Sequence, residues 1–126
     1  NFLDIPKNSE LIVYGKLPVM TMNYCPLGAS NKCYADCKKL CKSVEKFYLK
    51  DRLNFKFRII PDNIETVTTM YNSKITSISH LDFICSNIRI DIIDESVEEI
   101  NNIVKTALSG NRLEGKDYTN GNTLKE

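Results

Sequence analysis

The stretch Ser86–Gly110, SNIRIDIIDESVEEINNIVKTALSG, decides the fold class. Ile88, Ile90 and Ile92 alternate with Arg89 and Asp91, the period-two pattern of a strand with one apolar face. Ser96 and Glu99 then stand at the spacing of a capping box, which opens a helix. Val97, Ile100, Ile103, Val104, Ala107 and Leu108 recur at helical intervals and form the expected buried stripe. Gly110 falls where a helix terminates in the left-handed conformation. A strand running to Asp94, a short turn and a capped amphipathic helix make a βα unit, the building block of parallel α/β folds. Asp94 and Glu95 stand at the strand's C-terminal end, where such sheets bind ligands. For Arg89 and Asp91 the spacing favours a structural ion pair, and for Asp94 and Glu95 complementarity to the helix N-terminus.

Upstream, Leu11–Met22 is expected as a strand, a break at Gly15 and an extended continuation in which Pro18 excludes a central, fully paired position. Phe47–Ile60 reads as a β-hairpin turning at Asp51–Asn54, with Phe55, Phe57 and Ile59 alternating with Lys56 and Arg58. Thr66–Tyr71 is β-branched and reads as a further strand, broken by Asn72-Ser73-Lys74. From about Ser77 a short helix is expected. His80 lies beside apolar residues there and is read as a satisfied or surface histidine. From Asn111 the chain turns polar and rich in Gly and Asn, which predicts an exposed or poorly ordered tail over residues 111–126.

The 126 residues suffice for one domain, with 11–110 as its ordered core. Apolar content of 42% and charged content of 26% are those of a globular protein. A net charge of +1 gives no general attraction for nucleic acid or for a membrane. No apolar run approaches the roughly 20 residues that span a bilayer, and no secretory signal is visible at the start. A cytoplasmic, reducing setting is therefore expected. The chain opens with Asn and enters the strand-like run Leu11–Tyr14 almost at once, and it is read as a piece of a longer protein.

Cys25, Cys33, Cys37 and Cys41 crowd into one short segment, with Cys85 far away in an apolar run. Residues 34–46 tolerate a helical turn or two, which would set Cys33, Cys37 and Cys41 on one face. Thiolates are soft donors, so four of them suit zinc or an iron–sulfur cluster. The spacing lacks the tight two-residue knuckle of zinc fingers and differs from the ferredoxin run. Three readings stay open: a metal or cluster site at Cys25, Cys33, Cys37 and Cys41, an incomplete site with buried or free thiols, and disulfides. The odd number of cysteines would leave one thiol unpaired in a full disulfide framework. Lys38, Lys39, Lys42 and Lys46 surround the cysteines and are read as a solvated face ahead of an RNA-phosphate contact.

The order of short motifs carries a resemblance. VYGKLPVMTMNYCPLG (13–28) is followed by spaced cysteines, then FYLKDRLNFKF (47–57), TTMYNSK (68–74), NIRIDIIDES (87–96) and YTNG (118–121). In this order they resemble the later part of the U32 peptidase family, the collagenase-like proteases, over roughly Leu11–Leu108. The resemblance implies an α/β, partial barrel-like fragment with a β-hairpin insert and a C-terminal βα unit. It matches Cys25 to the cysteine of the YCP motif and puts the next family cysteine at Cys33 or Cys37. Two family cysteines are replaced, one by Pro18 and one near Thr66. No catalytic residue is transferred.

The expected function is the C-terminal region of a collagenase-like peptidase that is inactive alone. The alternatives are an iron–sulfur-dependent RNA-modification factor and a zinc-stabilised structural or interaction module. The implied partners are the N-terminal remainder of the parent protein, a second copy through exposed strand edges, and the parent's peptide or RNA substrate, with no membrane.

Overall fold

The computed structural model describes residues 5–31, 36–82 and 87–121. They form a mixed α/β structure, mostly strands, in two compact units: one from the segments up to Leu17 and from Lys74, the other Pro18–Ser73. Each holds a four-stranded sheet, and among the described residues neither sheet closes into a barrel.

The first unit is built on β1 (Glu10–Gly15), β6 (Ile75–Ser77), β7 (Asn87–Ile90), β8 (Tyr118–Thr119) and α2 (Val97–Leu108). Its strand order is β7-β1-β6-β8. β7 runs parallel to β1, with Leu11 opposite Ile88 and Ile12 opposite Arg89, and a register shift follows before Tyr14. The βα unit expected from the sequence is thus β7 and α2. The core is Val13, Ile78 and Ala107, with Leu11, Leu81 and Ile90 packed on it. Gly15 has φ +141°, and a Cβ there would lie 2.8 Å from both Cβ and the carbonyl oxygen of Asp91. Only glycine allows that approach of β1 to the end of β7.

Three expectations change in this unit. Among the described residues, the short helix expected from about Ser77 is absent. Ile75–Ser77 is instead a strand with β1 on one side and β8 on the other. Two flanking ladders satisfy the backbone of these residues, and that outweighs weak local preference. The chain then turns where the Leu81 amide donates to the Ile78 carbonyl.

The buried stripe of α2 is also narrower than its spacing suggests. Ile103 and Ala107 are buried, whereas Val97 and Leu108 are each 76% exposed. The six apolar positions span a wider arc than the sheet covers, so one flank stays in solvent.

Finally, the polar stretch from Asn111 is structured as far as Gly121. The Ser79 hydroxyl donates to the Asn111 carbonyl, the Leu113 amide donates to Ser77 Oγ at 2.9 Å, and Tyr118–Thr119 pairs with β6. Hydrogen bonds to an existing strand edge hold it, so its scarcity of apolar residues does not leave it unpaired.

The second unit contains β2 (Pro18–Met22), α1 (Pro26–Ser30), a 3₁₀ turn (Leu40–Lys42), β3 (Phe47–Lys50), β4 (Lys56–Asp62) and β5 (Val67–Tyr71). The antiparallel order is β2-β5-β4-β3. β2 is an edge strand, as Pro18 requires, with a bulge between Pro18 and Met20. The hairpin β3–β4 pairs Phe47 with Ile59 and Lys50 with Lys56. Its turn is held by the Asp51 carboxylate, which accepts from the Leu53 amide at 2.8 Å and the Phe55 amide at 2.9 Å. Asn54 takes the left-handed conformation that Asn tolerates. Arg58 lies over the Tyr48 ring at 5.8 Å. Ile59 and Thr68 are the most buried side chains of this sheet.

A cysteine-lined cleft as the candidate functional site

Cys25 precedes Pro26, and the pair starts a helix. Pro26 has the fixed φ of a first helical position and lacks an N–H that would go unpaired there. Cys25 is the N-cap, its sulfur accepting from the Gly28 amide at 3.3 Å. Leu27 is buried and anchors the short α1, while its carbonyl accepts from Asn31 through both the backbone amide and Nδ2. The YCPLG motif is therefore a capped turn that presents Cys25 to solvent.

Of the helical turn or two expected in this segment, residues 36–46 form one 3₁₀ turn and no α-helix. Lys39 is left-handed at φ 52°, and only Leu40–Lys42 make a single 3₁₀ turn. A segment crowded with lysines, with few apolar residues to bury, gains little packing from a long helix. The proposed helical face of Cys33, Cys37 and Cys41 is thus absent where it is described, and Cys33 itself lies outside the described residues, as does Cys85.

The loops nonetheless bring sulfurs together. Cys25, Cys37 and Cys41 all line one cleft of about 290 Å³ within the Pro18–Ser73 unit. Cys25 and Cys37 are exposed, Cys41 is half-buried, and all three are free thiols. Leu27, Leu40 and Val67 supply apolar wall, and Lys38 and Lys39 border it. The β4–β5 connection also lines the cleft. There the Asp62 carboxylate accepts from the amides of Ile64 and Glu65, and Thr66, at φ 56°, returns the chain to β5. Thr66 lines the same cleft. Sequence reasoning marked Thr66 only as a replaced cysteine, and nothing in the local pattern showed that it would line one cavity with Cys25, Cys37 and Cys41.

Among the described residues, no group of three or more His, Cys, Asp or Glu side chains is placed to hold a metal ion. Cys25, Cys37 and Cys41 thus share a cleft without being gathered into such a group.

The other singled-out residues lie in the first unit. Arg89 Nε is 2.8 Å from Asp91 Oδ1 and Arg89 Nη1 is 3.2 Å from Glu10 Oε1, the structural ion pair expected. His80 is half-buried, and burial together with the charge of Arg112 lowers its pKa, favouring neutral imidazole at physiological pH. Among the described residues no helix is long and apolar enough to cross a membrane. No protein-family model, curated protein or solved structure matches the chain.

Proposed function

We propose that this chain is the C-terminal region of a U32-type, collagenase-like protein, and that its cysteine-lined cleft is a cluster site lacking part of its ligand set. The observation that carries this reading is the position of Thr66. The family resemblance places a cysteine near that point, and Thr66 shares the cleft with Cys25, Cys37 and Cys41. Threonine offers a neutral hydroxyl where a soft metal needs thiolate. In this reading the chain binds or supports; it does not catalyse alone. Peptide hydrolysis, if the parent performs it, depends on the remainder of that protein, and the barrel-like architecture would also be completed there.

The test restores the sulfur. The chain and its Thr66→Cys variant are incubated anaerobically with ferrous iron and sulfide, or with zinc, then desalted. The expected result is a colourless, metal-poor parent chain and a variant that retains iron with absorbance near about 400 nm, or retains zinc. Two colourless, metal-free proteins would remove the support for the cluster ancestry.

A second reading is favoured by three thiols and two lysines bordering one cavity: an intact iron–sulfur or zinc site at Cys25, Cys33, Cys37 and Cys41, in an RNA-modifying or structural protein. Metal bound by the parent chain itself, and lost in Cys25→Ser, would establish it over the first. Peptidase activity is a separate question for full-length protein, assayed on gelatin beside its Cys25→Ser variant.

A further inference from the structure

β7 is the outermost strand of its sheet and pairs with β1 alone among the described residues. The Asn87 amide donates to the Ser9 carbonyl at 3.3 Å, and the Asp91 amide to the Tyr14 carbonyl at 2.9 Å. Those odd-numbered backbones face β1, so strand alternation turns the N–H and C=O of Ile88 and Ile90 toward the outer edge. Ile90 packs on the core beneath α2. Within β7, Ile88 shares its face; Ile92 follows two residues beyond the strand's end, and the two are 39% and 38% exposed at this edge.

The run Ile88-Arg89-Ile90-Asp91-Ile92 is its own complement when reversed. In an antiparallel pair of two copies centred on Ile90, with β7 extended past Ile90 through Asp91 to Ile92, Ile90 meets Ile90, Ile88 meets Ile92, and Arg89 of each copy meets Asp91 of the other. The isoleucine pairs are then the hydrogen-bonded ones, because their backbones face outward. The Arg–Asp pairs are the non-hydrogen-bonded ones, where side chains approach more closely. Keeping the same backbone geometry, the adjacent registers set Arg89 against Arg89 or Asp91 against Asp91, and like charges directly opposite are unfavourable. The charge pattern thus selects one register and one occupant.

We propose that the β7 edge is a self-association surface, on which a second copy of this chain adds its own β7 antiparallel and joins the two four-stranded sheets into one. This is strand addition to an open edge, and it does not depend on the family relation proposed above.

The test uses the whole chain in sedimentation or light scattering across a concentration series. A species of twice the 14.4 kDa chain mass is expected. Arg89→Asp gives an edge with two aspartates, and Asp91→Arg an edge with two arginines. Each alone is expected to weaken dimerisation by about tenfold or more, and mixing the two restores a heterodimer. Asp91 closely approaches Gly15, so Ile88→Pro serves as an independent variant. It removes an outward N–H and spares the β1 ladder, and it is expected to give a monomer with an unchanged circular dichroism spectrum. A chain that stays monomeric throughout the series overturns the proposal. So does a dimer indifferent to all three substitutions, and so do charge variants that fail to complement while Ile88→Pro still dimerises.

Discussion

Tyr14 shows how a single side chain joins distant parts of the first unit. It is 4% exposed, and its hydroxyl donates to Glu95 Oε1 at 3.0 Å. The other oxygen of Glu95 accepts from the Ile93 and Asp94 amides at 2.8 and 3.0 Å. One carboxylate therefore ties β1 to the turn between β7 and α2. Burial, and then the charge of Glu95, hold the Tyr14 phenol far above the ordinary tyrosine value of about 10. The folded-state pKa is raised, so the stability linked to Tyr14 is fully present below about pH 10 and is lost progressively as pH rises above it. Tyr14→Phe is expected to cost about 1–3 kcal/mol at neutral pH, the range for a hydrogen bond to a charged group. It should also flatten the alkaline decline, with Tyr118, shifted in the same direction, supplying what slope remains. Urea unfolding at neutral pH and near pH 10–11 measures both; an alkaline slope unchanged by the substitution would exclude Tyr14 as its source. Glu95 stood out in the sequence only as a charge near the start of α2; its bond to Tyr14 was not legible, because 81 positions separate them and only the sheet brings them together. The cysteines were the reverse case. They were conspicuous as residues, while their convergence with Thr66 required the loops.

Among elements, α2 was the most legible. Ser96 Oγ accepts from the Glu99 amide at 3.3 Å, and Glu99 Oε2 accepts from the Ser96 amide at 2.7 Å. Gly110 has φ 70° just beyond the helix. These are local interactions, so a few adjacent residues encode them. Ser96→Ala is expected to cost about 1 kcal/mol, read as a lower urea midpoint with an unchanged slope, together with faster amide exchange in the first turn of α2. No change in either would mean that packing alone fixes the start of this helix. The hairpin β3–β4 was legible for the same reason, through alternation and the Asp51 turn. β6 was not. Three residues carry too little periodicity to separate strand from helix, and the neighbours that settle the matter, β1 and β8, are remote in the chain. The lysine-rich segment after Cys37 misled in the opposite sense: its residues tolerate helix individually, yet they offer little apolar surface to stabilise one.

On the scale of the whole molecule, Pro18–Ser73 is an excursion between two strands that already pair. Gly15 stands opposite Thr76, so the ladder of the first unit brackets the second. Deleting Pro18–Ser73 and joining Leu17 to Lys74 leaves a short connection across an existing antiparallel pair, a length typical of hairpins. The shortened chain is expected to keep the Val13–Ile78–Ala107 core and the amide protection of β1 and α2, measured by hydrogen exchange; an unfolded product would show that the first unit cannot fold without the excursion. What the sequence by itself determined were features encoded by near neighbours: the alternating β7, the capped α2, the β3–β4 hairpin, the edge position forced by Pro18, and the concentration of thiols. What only the tertiary structure decided were the division into two sheets, the strand character of β6 and β8, the uncovered flank of α2, and the cleft that gathers Cys25, Cys37, Cys41 and Thr66. The first group rests on periodicity and on hydrogen bonds spanning a few residues. The second rests on backbone pairing and burial between segments far apart in the chain, which no local pattern of side chains records.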